Sequence, residues 1–170
     1  GCIHAELALL AGAARVHMIE ISDSRGAMAR EYLNNDAVRV VNPGDLGAVE
    51  YVREQTNGDG ADVVIVACSV GAAQRDALEL AAPRGRISLF GGLPGESTGF
   101  LDSNLIHYKE LAVFGVHAST VEQNKKTQAM IVSGKLDAGK YVSRVVSLDD
   151  IRDAFEALNS EQILKAVVRP

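Results

Sequence analysis

The run Asp62-Val63-Val64-Ile65-Val66-Ala67 constrains the fold more than any other part of the chain. Its apolar residues follow one another without alternation. A strand with one wet face alternates apolar and polar side chains, whereas a strand covered on both faces reads as a continuous apolar run. The run therefore predicts an inner strand of a parallel sheet with helices on either side. The flanking sequence has the matching rhythm. Helix-like 2–11 leads to strand-like Val16–Ile21, and Ser22-Asp23-Ser24 offers caps for a helix over 26–33. Val38–Val41 is a short β-branched run stopped by Asn42-Pro43-Gly44, and Asp45 is placed to cap a helix carrying Leu46, Val49 and Val52 on one face. Helix-like 71–82 ends at Pro83-Arg84-Gly85, and a strand is expected over 86–90. Strands separated by helices of about 10–15 residues imply right-handed βαβ units.

The remainder has a different rhythm. A long loop over 96–103 precedes 104–108, and 110–117 reads as a sixth strand. Thr120-Val121-Glu122-Gln123 resembles a capping box and starts a helix to about Ser133. Residues 134–140 form a linker. Ser147-Leu148-Asp149-Asp150 is a second capping box, behind which Leu148, Ile151, Phe155 and Leu158 make one apolar face. Leu164–Val168 closes as a strand. The expected division is a part with the βα rhythm over 1–134 and a separate C-terminal segment over 135–170.

Composition removes several classes of function. The net charge of −5 leaves no basic footprint for nucleic acid. No apolar run approaches the roughly twenty residues of a membrane span. Cys2 and Cys68 are too few and too distant for a disulfide framework or a zinc cluster, which suits a reduced, cytoplasmic protein. His4, His17, His107 and His117 show no metal spacing, and no G-x-S-x-G elbow is present.

Ligands of doubly wound sheets sit at the carboxyl ends of the strands. Four places qualify. Gly1 lies at the start of the first helix, nineteen residues before Glu20. That spacing suits the last glycine of a dinucleotide-binding turn and the acidic residue that grips a ribose. On this reading the first strand and the first two glycines of the turn are missing. Glu20, with Ile21 beside it, closes the second strand; a carboxylate there accepts from both ribose hydroxyls and repels a 2′-phosphate, favouring NAD over NADP. The alternative is an exposed acid at a strand end. Arg25 lies over an adenine, or is a solvated helix residue. Cys68 and Ser69 follow the buried strand, where small residues let a nicotinamide ribose approach; no basic neighbour activates the thiol. Gly91, Gly92 and Leu93 present nearly side-chain-free backbone, as a nicotinamide wall or as a plain tight turn.

Six segments then agree in order and spacing with a family: GCIHAEL (1–7), VHMIEISDSR (16–25), DVVIVACSVG (62–71), PRGRISLFGGLPG (83–95), NLIHYKEL (104–111) and the ending ILKAVVRP. Together they resemble zinc-dependent medium-chain dehydrogenases of the sorbitol (L-iditol) and threonine dehydrogenase branch. The resemblance implies an α/β Rossmann fold, a doubly wound parallel sheet lacking its first strand, followed by a segment that returns to a catalytic domain. It implies NAD as cofactor, a small alcohol or polyol as substrate, and zinc held only in that absent domain, with no catalytic residue here. By similarity Glu20 binds the adenosine ribose, Ile21 beside it belongs to the cofactor-binding residues, and Arg25 lies at the adenine. Cys68, Ser69 and Gly91–Leu93 line the nicotinamide, Val116 and Ala118 meet its carboxamide, and Lys165 faces the pyrophosphate. Strand 111–116 resembles the edge that joins subunits into a homodimer or homotetramer. A zinc-free quinone reductase, a methyltransferase and a non-catalytic relative are the rival readings. The missing strand predicts a gap of about 9–10 Å, two strand spacings, in the sheet.

Overall fold

The computed structural model describes residues 1–96 and 101–169. They form two compact units, one made of 1–42 with 119–169, the other of 43–118. Of the loop expected over 96–103, residues 97–100 lie outside those described.

In the first unit, α1 (Cys2–Leu10) leads to β1 (Val16–Ile19), α2 (Asp23–Leu33) and β2 (Val38–Val41). β1 and β2 pair in parallel, Val16 opposite Val38 and Ile19 opposite Val41. The parallel pairing requires a crossover, which α2 supplies. Ser22 starts α2, its hydroxyl accepting from the Arg25 amide at 3.3 Å, while Asp23 and Arg30 complement the helix dipole at its two ends. After residue 118 the chain adds α6 (Val121–Val132), β6 (Arg144–Ser147), α7 (Ile151–Asn159) and β7 (Ala166–Arg169), with β6 and β7 parallel. The Thr120 capping box is present on both sides: its hydroxyl takes the Gln123 amide and Gln123 returns to the Thr120 amide at 2.8 Å. The core joins Cys2 and Ala5 of α1 to Ala29 and Leu33 of α2 and to Tyr141. Tyr141, 1% exposed, donates its hydroxyl to the Glu6 carboxylate, which also pairs with Lys140 at 3.0 Å. Burial, then that carboxylate, pushes the Tyr141 phenol far above its ordinary range. Tyr141 thus carries the segment after residue 134 into the core of the first helices.

The second unit contains α3 (Ala48–Gln55), β3 (Ala61–Val66), α4 (Gly71–Leu80), β4 (Ala81–Leu89), α5 (Ser103–Tyr108) and β5 (Ala112–Gly115). The three strands are parallel in the order β3-β4-β5. The two Rossmann sheets are thus separate, and β1 and β3 each pair along one edge only among the described residues. Val64, Ile87 and Val113 form one cross-strand row, packed with Leu78 of α4 and Ile106 of α5. Lys109 closes α4 by donating to the carbonyls of Leu78, Glu79 and Ala81 at 2.9–3.0 Å.

Five local expectations need correction. The 62–67 run is covered on one face only within its unit: Val63 and Ile65 are 46% and 38% exposed, in register with the exposed Phe114 side of the sheet. β4 starts at Ala81, not at 86. Pro83-Arg84-Gly85 is accommodated in a register shift, since Ala61 faces Ala81 but Val63 already faces Arg86, and a bulge is where a strand tolerates proline. Asp45 does not cap α3; it sits in a 3-10 turn over Gly44–Leu46, and Gly47 precedes the helix. Asp150 rather than Ser147 precedes α7, with no side-chain cap; the Ser147 hydroxyl bonds the Asp150 carboxylate at 2.7 Å instead. On α7 the expected apolar face is largely bare, Leu148 and Phe155 being 59% and 60% exposed, and Ala154 and Ala157 are the residues it buries.

Candidate coenzyme site

Glu20 directly follows β1. Its amide donates to the Val41 carbonyl at 2.9 Å, so the backbone is held in line with the sheet while the side chain leaves at the carboxyl end of the strand. One carboxylate oxygen accepts the Ser22 amide at 3.0 Å. Ile21 projects into solvent at 78% exposure, and its carbonyl accepts from the Asn42 side chain at 3.0 Å. Asn42 also bonds Asp23 at 3.1 Å, which ties the end of β2 to the start of α2. Arg25 lies in the first turn of α2 and pairs with Glu161 at 3.3 Å. Gly1 starts α1, where a Cβ would meet only the flexible tip of Met18, at 2.6 Å. The helix start and the strand are therefore in close contact. Lys165 is exposed immediately before β7, and its carbonyl accepts the Ser143 and Arg144 amides.

In the second unit the expected residues also collect at carboxyl strand ends. Cys68 and Ser69 follow β3, Gly91–Leu93 follow β4, and Val116 and Ala118 follow β5. Two of these loops touch. A Cβ on Gly91 would lie 2.2 Å from the Cys68 carbonyl oxygen and 2.6 Å from its carbon, so only glycine lets the loops pass at this distance. The Gly91 amide donates to the Val66 carbonyl at 2.8 Å. Gln74, 8% exposed on α4, donates its side-chain amide to the Gly91 carbonyl at 3.2 Å. Both backbone polar groups of Gly91 are thus committed, and the loop is fixed from beneath. Gly92 is free of such crowding. Cys68 is exposed. Val116 continues the β5 ladder through its amide to Leu89 at 3.3 Å, and Ala118 has a left-handed φ of 56°.

Gln74 and Glu161 were not singled out by the sequence. Gln74 looks like any helix-surface amide, and its one signal is a position three residues into a helix that follows a buried strand. Glu161 lies 139 residues from Ser22, so no local pattern links them.

Among the described residues no three His, Cys, Asp or Glu side chains converge on a metal position. None of their helices is long and apolar enough to cross a membrane. What the two strand-end surfaces offer is a carboxylate with backbone donors in the first unit and a nearly bare, rigid backbone wall in the second. Those donor sets fit a ribose diol and a flat ring, and do not fit a metal ion.

Comparison with known proteins places the chain in a family. Residues 1–133 match the family model described as zinc-binding dehydrogenase. The L-threonine 3-dehydrogenase of Pyrococcus horikoshii is 29% identical over 170 residues, covering 98% of this chain and 47% of the relative. The crystal structure of 2R,3R-butanediol dehydrogenase from Bacillus subtilis superposes with a TM-score of 0.84 at 26% identity, over 99% of this chain and 47% of that one. A zinc-binding dehydrogenase from Sinorhizobium meliloti, solved bound to NADP, superposes with a TM-score of 0.85 at 25% identity, over 99% of this chain and 49% of that one. The chain spans about half the length of the curated relatives it matches. The chain belongs to the zinc-binding dehydrogenase family.

Proposed function

We propose that the whole protein is an NAD-dependent dehydrogenase of a small alcohol or polyol, and that this chain supplies its coenzyme-binding half. The observation that carries the reading is Glu20, a carboxylate at the carboxyl end of a parallel strand, steadied by the Ser22 amide. A carboxylate so placed accepts hydrogen bonds from the 2′- and 3′-hydroxyls of an adenosine ribose. Ile21 and Arg25 flank the ribose and the adenine, and Gly1 leaves backbone donors open for phosphate at the start of α1. At the second unit's strand ends, Gly91, Gly92 and Leu93 with Cys68 and Ser69 form the wall for the nicotinamide. Val116 and Ala118 offer backbone to the carboxamide. Lys165 supplies positive charge for the pyrophosphate.

A nicotinamide coenzyme held by Glu20 at one end and by the Gly91–Leu93 wall at the other would supply the hydride acceptor for the reaction. The contribution of this chain is orientation: Gln74 fixes the Gly91 carbonyl, so the wall does not move as the ring docks. The relatives named for threonine and butanediol act on hydroxyl-bearing small molecules, which supports an alcohol of that kind as substrate. The test is NADH binding to the full-length protein by fluorescence titration, with Glu20→Ala alongside. Loss of the charged acceptor weakens binding by about 2 kcal/mol or more, roughly thirtyfold. Equal affinity of wild type and Glu20→Ala would remove Glu20 from the site.

A further inference from the structure

We propose that Glu161 determines coenzyme choice: its carboxylate fills the anion-binding recess formed by Ser22, Ser24 and Arg25, where the 2′-phosphate of NADP would otherwise bind. The inference rests on the proposed nucleotide site and adds a residue to it from the far end of the chain. Glu161 follows α7 with a left-handed φ of 57°. One of its oxygens accepts from the Ser22 hydroxyl, and from the Ser24 hydroxyl at 2.7 Å. The other pairs with the Arg25 guanidinium at 3.3 Å. The two serine oxygens are 2.9 Å apart, within hydrogen-bond distance of each other, and both lie within reach of the same carboxylate oxygen. Two hydroxyls and a guanidinium around an anion at the start of an eleven-residue helix make a set of donors suited to a phosphomonoester.

Four donors of this segment are engaged by carboxylates. Glu20 takes the Ser22 amide, and Glu161 takes both hydroxyls and the guanidinium. A ribose bearing a free 2′-hydroxyl needs only Glu20. A ribose bearing a 2′-phosphate would have to displace Glu161 and then sit between two negative charges. Discrimination is thus built as a penalty on the wrong ligand and not only as a gain for the right one. The Glu161 side chain is 34% exposed and absent from the buried cores, so its replacement leaves the packing of the unit in place.

The experiment measures dissociation constants for NADH and NADPH with full-length wild type, Glu161→Gln, Glu161→Ala and the double variant Glu161→Gln/Arg25→Ala. The affinity for NADPH relative to NADH rises about tenfold in both single variants, the size of one charge-assisted hydrogen bond. Most of that gain disappears in the double variant, because the guanidinium that receives the phosphate is gone. A ratio unmoved in both single variants, with wild type still binding NADH, overturns the role of Glu161 alone. A wild type that prefers NADPH overturns it as well. Failure of wild type to bind either dinucleotide overturns the nucleotide reading and this inference together.

Discussion

An alanine at position 91 would place a methyl group 2.2 Å from the Cys68 carbonyl oxygen, 2.6 Å from its carbon and 3.0 Å from its nitrogen. All three are backbone atoms, so no side chain can swing aside, and the loops after β3 and β4 must separate by roughly 1 Å. Two hydrogen bonds converge on that peptide unit, the Gly91 amide to Val66 at 2.8 Å and Gln74 to the Gly91 carbonyl at 3.2 Å. Overpacking costs about 1–3 kcal/mol and a weakened internal hydrogen bond about 0.5–1.5 kcal/mol. Gly91→Ala is therefore expected to lose about 2–4 kcal/mol of stability. The paired control is Gly92→Ala, where nothing lies within 4 Å of the added Cβ and the backbone is not left-handed. That variant stays within about 0.5 kcal/mol of wild type. Urea unfolding of the full-length protein, followed by circular dichroism with wild type alongside, reads both changes. Equal stability of the two glycine variants would refute the reasoning, since their surroundings differ only in the approach of Cys68. If Gly91 also forms the nicotinamide wall, NADH affinity falls in Gly91→Ala by more than in Gly92→Ala.

Two further outcomes follow from the first unit. Tyr141→Phe keeps the buried ring and removes only the hydroxyl bonded to Glu6, so it costs about 1.5–3 kcal/mol in thermal or urea unfolding; a loss under 0.5 kcal/mol would show that Lys140 satisfies Glu6 alone. Burial holds His4 and His17 below the ordinary value of 6.5, with Arg15 and Arg39 adding to the effect at His17. The unfolded chain thus binds their protons first on acidification, so the stability they contribute is complete above pH 6.5 and lost as pH falls through their folded values. Urea midpoints taken from pH 7.5 to 5 should fall less steeply in His17→Gln than in wild type, and parallel profiles would remove His17 from the account.

Local patterns carried most of the element order. Val38–Val41 and the Thr120 box were readable because β-branched runs and caps act within a few residues. The start of β4 was not, because Pro83 and Gly85 look like terminators unless a neighbouring strand supplies a register shift to hold them. The face of α7 is apolar in the sequence, yet the pattern does not say what covers it, and Phe155 is bare. For the site, the carboxylate at the end of β1 and the glycines after β4 were visible from their spacing. Gln74 and Glu161 are invisible in the sequence for different reasons: one is a polar residue that becomes buried, the other a half-buried acid whose serine partners lie 137 and 139 residues away.

The two strand-end surfaces are sensitive to different perturbations, and the difference follows from what lines them. After β3 and β4 the wall is backbone against backbone, with Gly91 and Cys68 already inside ordinary contact distance for any added atom. There, volume decides, and a methyl group without charge is enough to disturb the site. After β1 the lining is side chain and charge: Glu20, Ser22, Ser24, Arg25 and Glu161 are linked by hydrogen bonds and an ion pair at a half-exposed surface. There, a change of charge at constant volume, such as Glu161→Gln, alters recognition while a modest change of shape is absorbed by solvent. Selectivity between coenzymes that differ by one phosphate needs the second kind of surface, because the ligands differ mainly in charge. Holding a flat ring at a fixed angle needs the first, because rigid packing resists displacement where a charged rim would relax.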